Sequence, residues 1–242
     1  MKQSENISCT GCDNSKCLIN FCSNEWKAKL SAEKKMRSYP RKQNIFWEKL
    51  TIYGIYFIYK GKVKLVSQEL QGKEQIVRLA TDGDLLGILS ANSNETYILS
   101  AFALDDSAIC FIDNPTLFQA LLENPQFSLN ILLYYCNLMR RMEIRSRNFA
   151  CMNVKEKVAD SILHLYRTYG GKKENNKILL NAQLPHREIA MLCGTSEEQV
   201  SRTFSELVSE KLITVEGRKV YINDMDKLDN AVTCCSTDKR LL

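Results

Sequence analysis

Residues 185–202 read PHREIAMLCGTSEEQVSR, and this stretch predicts two helices joined by a tight turn. Ala190 is small where two helices must approach closely, and Gly194 lies four residues later, where the turn needs a positive φ. Ser196 is a preferred N-cap residue, and Gln199, three residues later, would complete a capping box. The stretch therefore predicts a helix-turn-helix in the last third of the chain.

The second of these helices and the segment after it have the composition of a DNA-reading surface. Arg202 can bond a guanine bidentately, and Glu198 can accept a hydrogen bond from a cytosine. Residues 211–222 predict a hairpin whose basic tip suits phosphate contacts. A helical pair that serves only packing is the alternative, and the hairpin argues against it. The residues expected to contact DNA are Glu197, Glu198, Ser201, Arg202, Arg218 and Lys219.

Upstream of this motif, residues 126–150 predict one long helix with a narrow apolar stripe. With Arg145 included, the stripe follows a 4-3-4-4-3-4 spacing, close to a heptad pattern. A long helix with one such stripe typically packs against a partner helix, so we interpret it as a dimerisation helix. The alternative is a helix that lies on its own β-domain. The expected interface residues are Phe127, Ile131, Tyr134, Leu138, Met142 and Phe149.

Residues 45–113 predict a domain of short strands. Runs rich in Ile, Val, Tyr and Phe are separated by turn signals, as in a sandwich or barrel. Val63 and Leu65 alternate with lysines, and Val77 and Leu79 flank Arg78, as expected of half-buried antiparallel strands. The fold class is therefore α+β, with a β-rich domain, a long helix and a winged helix-turn-helix in that order.

Composition and charge limit the classes of protein. The chain has 242 residues and a formal net charge of +5, and residues 1–50 hold ten Lys and Arg against five Asp and Glu. The basic excess lies at the N-terminus, so the prediction of DNA binding rests on local pattern rather than on overall charge. We find no apolar run of membrane-spanning length and no signal-peptide pattern, and we expect a cytoplasmic protein with no membrane partner.

Four of the ten cysteines cluster near the N-terminus. Cys9, Cys12, Cys17 and Cys22 form C-x2-C-x4-C-x4-C in a polar segment, residues 1–25, that would not form a packed core unaided. A reducing cytosol does not maintain disulfide frameworks, whereas soft thiolates select zinc, copper or iron–sulfur clusters. The spacing predicts a metal site without deciding which metal it holds.

The order of these parts resembles the Crp/Fnr family of bacterial transcription regulators. The resemblance is carried by IYFIYKGKVKL at 55–65, GDLLG at 83–87 and EQVSR at 198–202. It implies a cyclic-nucleotide-binding-like β-roll (jelly roll) and a homodimer that binds an inverted-repeat promoter site resembling TTGAT half-sites and contacts RNA polymerase. The domains implied are a cysteine-rich segment 1–25, the β-roll 26–125, the dimerisation helix 126–150 and the DNA-binding domain 151–242.

The Fnr branch of this family is similar to the chain in its cysteines. That branch carries C-x2-C-x5-C plus a distant cysteine on the last strand of the sensor domain, which matches Cys110. The resemblance implies a 4Fe–4S cluster on Cys9, Cys12, Cys17 and Cys110 that senses oxygen or nitric oxide, with Cys22 as the alternative fourth ligand. Structural zinc and a thiol redox switch are the alternatives to a cluster.

Two further expectations follow. Ile88, Tyr97 and Ile98 stand where cyclic-nucleotide members of the family carry a ribose-binding Glu and a phosphate-clamping Arg-Ser pair, so we expect no cyclic nucleotide. We also find no nucleophile triad, carboxylate pair or phosphate-binding glycine loop, and the chain has two histidines, so we do not expect an enzyme. A cluster-bearing electron carrier or redox enzyme would explain the cysteines but not the helix-turn-helix.

Overall fold

The computed structural model describes residues 7–68, 74–87 and 95–232. The chain divides into two compact units at the junction of Asn137 and Leu138. Among the described helices, none is long and apolar enough to cross a membrane.

The first unit is a β-roll of two antiparallel four-stranded sheets, with strand orders β1-β8-β3-β6 and β2-β7-β4-β5. Its strands are β1 Lys35–Tyr39, β2 Asn44–Phe46, β3 Gly54–Lys60, β4 Lys62–Gln68, β5 Glu74–Thr81, β6 Leu85–Leu86, β7 Ser100–Ala103 and β8 Ser107–Asp113. Its helices are α1 Asn24–Glu33, α2 Asn114–Glu123 and the first part of α3 Pro125–Cys151.

The sheet that contains β3 and β8 is buried on both faces, because side chains alternate along each strand. On the inner face, Ile58 and Ile109 join the core shared with the other sheet. On the outer face, Phe57 and Cys110 pack in a second core with residues of the helices and of the N-terminal segment. Cys110 therefore points away from the interior of the roll, toward the cysteine-rich segment.

One strand departs from the predicted alternation. The β4–β5 register shifts by one residue between Leu65 and Val66, which pair with Arg78 and Ile76. Val77 is the extra residue of this β-bulge and is half-buried, while Ile76 takes the core position at 1 % exposure. The sequence pattern located the strand but assigned one core residue wrongly.

Helix α1 crosses the predicted boundary between the cysteine-rich segment and the β-roll at residue 25. Ser23 caps it, accepting from the Trp26 amide. Trp26 and Leu30 bury the helix in the outer core, and the Trp26 indole N–H donates to Glu123 of α2 at 3.0 Å. The N-terminal segment is thus anchored to the β-roll by a helix that the sequence analysis did not predict.

The second unit contains the winged helix-turn-helix. Its strands β9-β10-β12-β11 form one antiparallel sheet. A capping box of Asn153 and Glu156 begins its first complete helix, and Gly170 ends it at a φ of 73°. The elements after α3 are α4 Val154–Tyr169, β9 Gly171–Glu174, β10 Lys177–Leu180, α5 His186–Cys193, α6 Glu197–Ser209, β11 Ile213–Glu216, β12 Lys219–Ile222 and α7 Met225–Asn230. The predicted α+β fold class is confirmed.

Candidate cysteine centre and DNA-binding surface

Thiols from two separate parts of the chain lie together in the outer core, which contains Cys9, Cys17 and Cys22 of the N-terminal segment and Cys110 of β8. Cys9 lies in a short 3₁₀-helix, Cys9–Gly11, and Cys110 lies on β8, paired with Met36 of β1. Burial raises the pKa of Cys17 to about 12, with additional repulsion from Cys12, Cys9 and Cys110. Fold topology therefore brings Cys110, more than ninety residues away in sequence, next to the N-terminal cysteines.

Cys22 lies in the same outer core as Cys9 and Cys110, but fewer thiols act on its charge. It is buried at 6 % exposure, burial raises its pKa to about 12, and Cys9 is the one cysteine thiol whose charge contributes to that rise. Burial also raises the pKa of Cys110, to about 11, and the thiols that repel its charge are Cys9 and Cys12. Cys110 thus interacts electrostatically with more of the predicted ligands than Cys22 does.

The end of α1 holds Cys9 through two polar side chains. The Cys9 amide donates to Ser31 Oγ at 2.6 Å, and Lys34 Nζ donates to Cys9 Sγ at 3.3 Å. Lys34 Nζ also donates to the Ile7 carbonyl oxygen. Lys34 is 5 % exposed, and its charge lowers the pKa of Cys110 against the effect of burial. This lysine was not predicted, because nothing in the spacing of residues 24–35 marks it as different from its neighbours.

The segment between Cys12 and Cys17 docks directly on the β-roll. The Asn14 amide donates to the carbonyl oxygens of Ile58 and Tyr59 at 3.1 and 2.8 Å. A Cβ added to Gly83 would lie 2.4 Å from Lys16 Cβ and 3.0 Å from its carbonyl atoms. Gly83 also has a φ of 87°, so this contact requires glycine for both backbone and space.

The thiols of the described residues are free, without disulfides among them. In the arrangement of the described chain, no three His, Cys, Asp or Glu side chains form a group that could hold a metal ion. The chemistry of the donor set nevertheless suits a thiophilic metal, because Cys9, Cys17 and Cys110 pack in one core and Cys12, which is half-buried, acts on the charges of Cys17 and Cys110. A metal on these cysteines remains a prediction.

The structure corrects the first half of the dimer seam predicted for α3, while the second half stays a prediction. Phe127 and Ile131 are 0 % and 3 % exposed in the chain's own outer core, and Tyr134 packs against it, so they have little surface left for a partner. Leu138 and Phe149 are half-buried, and Met142 is exposed. The other exposed apolar side chains of this helix are Leu129, Leu132, Leu133 and Met139, and Cys136 is also exposed.

The exposed stripe has a stricter heptad spacing than the predicted one. Leu129, Leu132, Cys136 and Met139 follow a 3-4-3 pattern, as the a and d positions of a coiled coil do. The helix therefore carries two apolar stripes, and the one predicted as the dimer seam belongs in its first half to the β-roll. The 3-4-3 spacing was the signal available in the sequence.

Tyr134 connects α3 to the turn of the GDLLG segment. Its hydroxyl donates to Asp84 Oδ1 at 3.0 Å and accepts from the Leu85 amide at 3.0 Å. It also accepts from Arg78, whose guanidinium lies 3.9 Å from Asp84. Gly83, which contacts Lys16, is the residue before Asp84. The cysteine-rich segment and α3 thus meet the same short turn from two directions.

In the second unit, α5 and α6 form the predicted helix-turn-helix. Gly194 ends α5 in the left-handed conformation at φ 65°, ψ 41°. Ser196 accepts from the Gln199 amide at 3.2 Å, as predicted, but the Gln199 side chain faces the Thr195 hydroxyl rather than completing a capping box. Val200 is fully buried between the helices.

All six residues predicted to contact DNA are exposed. The first turns of α6 carry Glu197, Glu198, Ser201 and Arg202 on the solvent side, opposite buried Thr203 and Phe204. The hairpin of β11 and β12 places Gly217 at its tip with a φ of 60°, followed by exposed Arg218 and Lys219. Recognition helix and basic wing therefore belong to one compact unit.

The positions at which cyclic-nucleotide members of the family bind the ribose and phosphate carry aromatic and aliphatic side chains here. Tyr97 is 5 % exposed, stacks on Phe46 at 4.1 Å and donates to the Gly54 carbonyl at 3.2 Å. Ile98 is apolar and exposed. Ile88 lies outside the described residues. The absence of nucleotide binding remains a prediction.

A β-roll followed by a long helix and a winged helix-turn-helix defines a DNA-binding regulator. Residues 36–124 match the cyclic nucleotide-binding domain, and residues 156–231 match the Crp-like helix-turn-helix domain. The chain therefore belongs to the Crp/Fnr family of DNA-binding transcription regulators. Regulators of this family bind DNA and typically act as homodimers.

Individual relatives are distant but cover most of the chain. The anaerobic regulatory protein of Bacillus subtilis is 23 % identical over 85 % of this chain and 85 % of its own length. A CRP-like cAMP-activated global transcriptional regulator of Mycobacterium tuberculosis is 25 % identical over 78 % and 84 %. The structure of FixK2 from Bradyrhizobium japonicum matches with a TM-score of 0.70, at 21 % identity over 82 % and 96 %.

Proposed function

We propose that this regulator senses oxygen or nitric oxide through an iron–sulfur cluster held by Cys9, Cys12, Cys17 and Cys110. The observation that carries the proposal is the packing of Cys9 and Cys17 of the N-terminal segment with Cys110 of β8 in one outer core, where Cys12 also acts on the charges of Cys17 and Cys110. The similarity to the anaerobic regulatory protein of Bacillus subtilis supports a response to oxygen supply. A 4Fe–4S cluster, when bound, supplies a redox-labile group whose loss returns the cysteines to free thiols.

Cys110 is the proposed fourth ligand. It interacts with Cys9 and Cys12 and contributes to the charge environment of Cys17, whereas Cys22 interacts with Cys9. Because Cys110 is on β8, ligation there would fix the N-terminal segment to the β-roll. Ligation by Cys22 would keep the site within the N-terminal segment. The ligand set with Cys110 would therefore couple the metal site to the β-roll, whereas the set with Cys22 would not.

The contacts of the cysteine-rich segment suggest how the presence or loss of the cluster could affect the long helix α3. Lys16, next to Cys17, packs on Gly83, and the adjacent Asp84 accepts from Tyr134 on α3. When the four cysteines are held together, Lys16 keeps its position against the turn, and the turn keeps its bond to Tyr134. When they are released, the contact at Gly83 weakens first. Promoter binding then follows the strength of dimerisation along α3.

The remaining parts of the proposal concern partners. Leu129, Leu132, Cys136 and Met139 would pair with the same residues of a second chain in a homodimer. Two recognition helices would then read an inverted repeat resembling TTGAT half-sites through Glu198, Ser201 and Arg202, with RNA polymerase recruited at the promoter. Tyr97 and Ile98 offer no cation to a cyclic phosphate, so we expect a signal other than cyclic AMP.

The decisive experiment measures iron, acid-labile sulfide and zinc in protein purified and reconstituted without oxygen. About four irons and four sulfides per chain, lost in air together with promoter binding, would support the proposal. Stoichiometric zinc that survives air would instead make the segment structural. Protein that holds no metal after reconstitution would point to a thiol switch or to an unknown ligand.

Two variants assign the fourth ligand. Cys110→Ala should fail to retain the cluster, while Cys22→Ala should retain it with unchanged air sensitivity, because Cys110 interacts electrostatically with Cys9, Cys12 and Cys17 whereas Cys22 interacts with Cys9. Cys193→Ala is a control for the loss of a buried thiol, since Cys193 bonds Ser161 at 3.1 Å in the other unit. Full iron content in Cys110→Ala would overturn the assignment.

A further inference from the structure

A buried lysine lies within hydrogen-bond distance of one of the proposed ligands. Lys34 is 5 % exposed, and a lysine this buried is rare unless its charge is compensated. Its ammonium donates to Cys9 Sγ at 3.3 Å and to the Ile7 carbonyl, and its charge also acts on Cys110. The Lys34 side chain therefore interacts with one thiol of the N-terminal segment, Cys9, and with Cys110 of β8.

The backbone fixes this placement. Lys34 is the C-cap residue of α1, and its amide donates to the Leu30 carbonyl at 2.9 Å, while Leu30 is fully buried. Ser31, one turn of helix before the cap, accepts from the Cys9 amide. The end of α1 thus fixes the Lys34 backbone, and burial restricts the side chain that carries the ammonium.

We propose that Lys34 is the counter-cation of the cysteine centre and strengthens metal or cluster binding there. Four thiolates around a divalent metal ion, or around a 4Fe–4S core of charge 2+, leave a net charge of about −2. Holding that charge in a buried region is costly unless a cation lies close by. Lys34 is a positioning residue that supplies this charge and an N–H to the Cys9 sulfur. The inference rests on the proposed ligand set but not on which metal occupies it.

Three variants separate charge from shape. Lys34→Met keeps the length of the side chain and removes the charge, and Lys34→Arg restores a cation. Lys35→Met removes a charge from the adjacent, exposed position and is the matched control. Each reduced protein is titrated anaerobically with Co²⁺ in the presence of a competing chelator, and the sulfur-to-cobalt charge-transfer band is recorded.

We expect Lys34→Met to weaken Co²⁺ binding at least about tenfold and to shift the charge-transfer band, because a hydrogen bond to a charged sulfur is lost. Lys35→Met should stay within about twofold of the unchanged protein, and Lys34→Arg should recover most of the affinity. A structural role alone would lower the thermal stability of the metal-free protein without moving the band. Wild-type affinity and spectrum in Lys34→Met, or no recovery in Lys34→Arg, would overturn the inference.

The same proteins distinguish this inference from the proposed function. If the wild-type protein takes up iron and sulfide, Lys34→Met should lose iron to a chelator at least about tenfold faster. If the wild type binds Co²⁺ but takes up no cluster, the proposed function fails while the cobalt series still decides the role of Lys34. Wild-type protein that binds neither would overturn both.

Discussion

The Tyr134 hydroxyl donates to the Asp84 carboxylate at 3.0 Å, and this bond joins the long helix to the Gly83–Gly87 turn of the β-roll. The hydroxyl also accepts from the Leu85 amide and from Arg78, so its hydrogen-bonding capacity is filled. Burial raises the pKa of Tyr134 to about 12, which keeps the phenol protonated at neutral pH and able to donate. A residue predicted to face a partner chain thus connects two elements of its own unit.

Removing this hydroxyl should loosen the helix from the turn. Tyr134→Phe leaves the half-buried Asp84 carboxylate and the Leu85 amide short of one partner, and we expect a loss of about 1–2 kcal/mol in the free energy of unfolding. Tyr135→Phe is the control, because its hydroxyl makes a longer bond of 3.5 Å to the Gly87 carbonyl. Urea unfolding of both variants tests this. Equal losses in the two would show that the Asp84 contact has no special role.

The long helix illustrates what sequence can and cannot establish. Its length and its apolar period were predictable, and α3 occupies Pro125–Cys151 where 126–150 was expected. The 3-4-3 spacing marks a second apolar stripe, but it does not say which of the two stripes faces the chain's own core, because Phe127 and Leu129 are both apolar. Only the position of the outer core decides between them, and that core is formed by residues distant in sequence, such as Phe57 and Cys110.

The exposed stripe makes a direct prediction about assembly. Leu132→Asp places a charge at the centre of the stripe, where burial against a partner would be costly, and should raise the dimer dissociation constant at least about tenfold. Leu122→Asp on α2 is the matched control, because Leu122 is 84 % exposed and lies off this helix. Sedimentation velocity across a concentration series measures both. An unchanged dimer in Leu132→Asp would exclude this stripe as the interface.

The cysteine centre shows a second limit. The C-x2-C-x4-C-x4-C spacing identified the N-terminal thiols, and family resemblance added Cys110. The buried ammonium of Lys34 follows from the direction in which α1 ends, which depends on Trp26 and Leu30 packing in the outer core. Periodicity carries no information about that direction, and α1 itself has a weak apolar pattern in its sequence.

We expect Arg202 on the recognition helix and Arg218 on the wing to contribute differently to DNA-binding specificity. Arg202→Ala should cost about 1–3 kcal/mol on the specific inverted repeat and much less on unrelated DNA, because a bidentate contact to a guanine is lost. Arg218→Ala, at the wing, should weaken binding similarly on both DNAs and reduce the salt dependence, as expected of a phosphate contact. Fluorescence anisotropy at several salt concentrations separates the two. Equal losses on both DNAs for Arg202→Ala would assign it to phosphate.

The second unit should lose stability in mild acid through His164. Burial, together with Arg145, Arg167 and Arg141, lowers the pKa of His164 well below its ordinary value of about 6.5. The unfolded chain therefore takes up a proton that the folded chain excludes, so stability falls as the pH drops below about 6.5, by up to about 1 kcal/mol per pH unit.

His164→Gln should remove this part of the acid sensitivity while leaving stability at pH 7.5 less affected. The control is His186→Gln, since His186 is the chain's other histidine and packs at a tilted angle against Phe204, with ring centroids 4.6 Å apart. Thermal unfolding of the three proteins at pH 7.5, 6.5 and 5.5 measures the effect. The same acid sensitivity in His164→Gln and in the unchanged protein would mean that another group binds the proton.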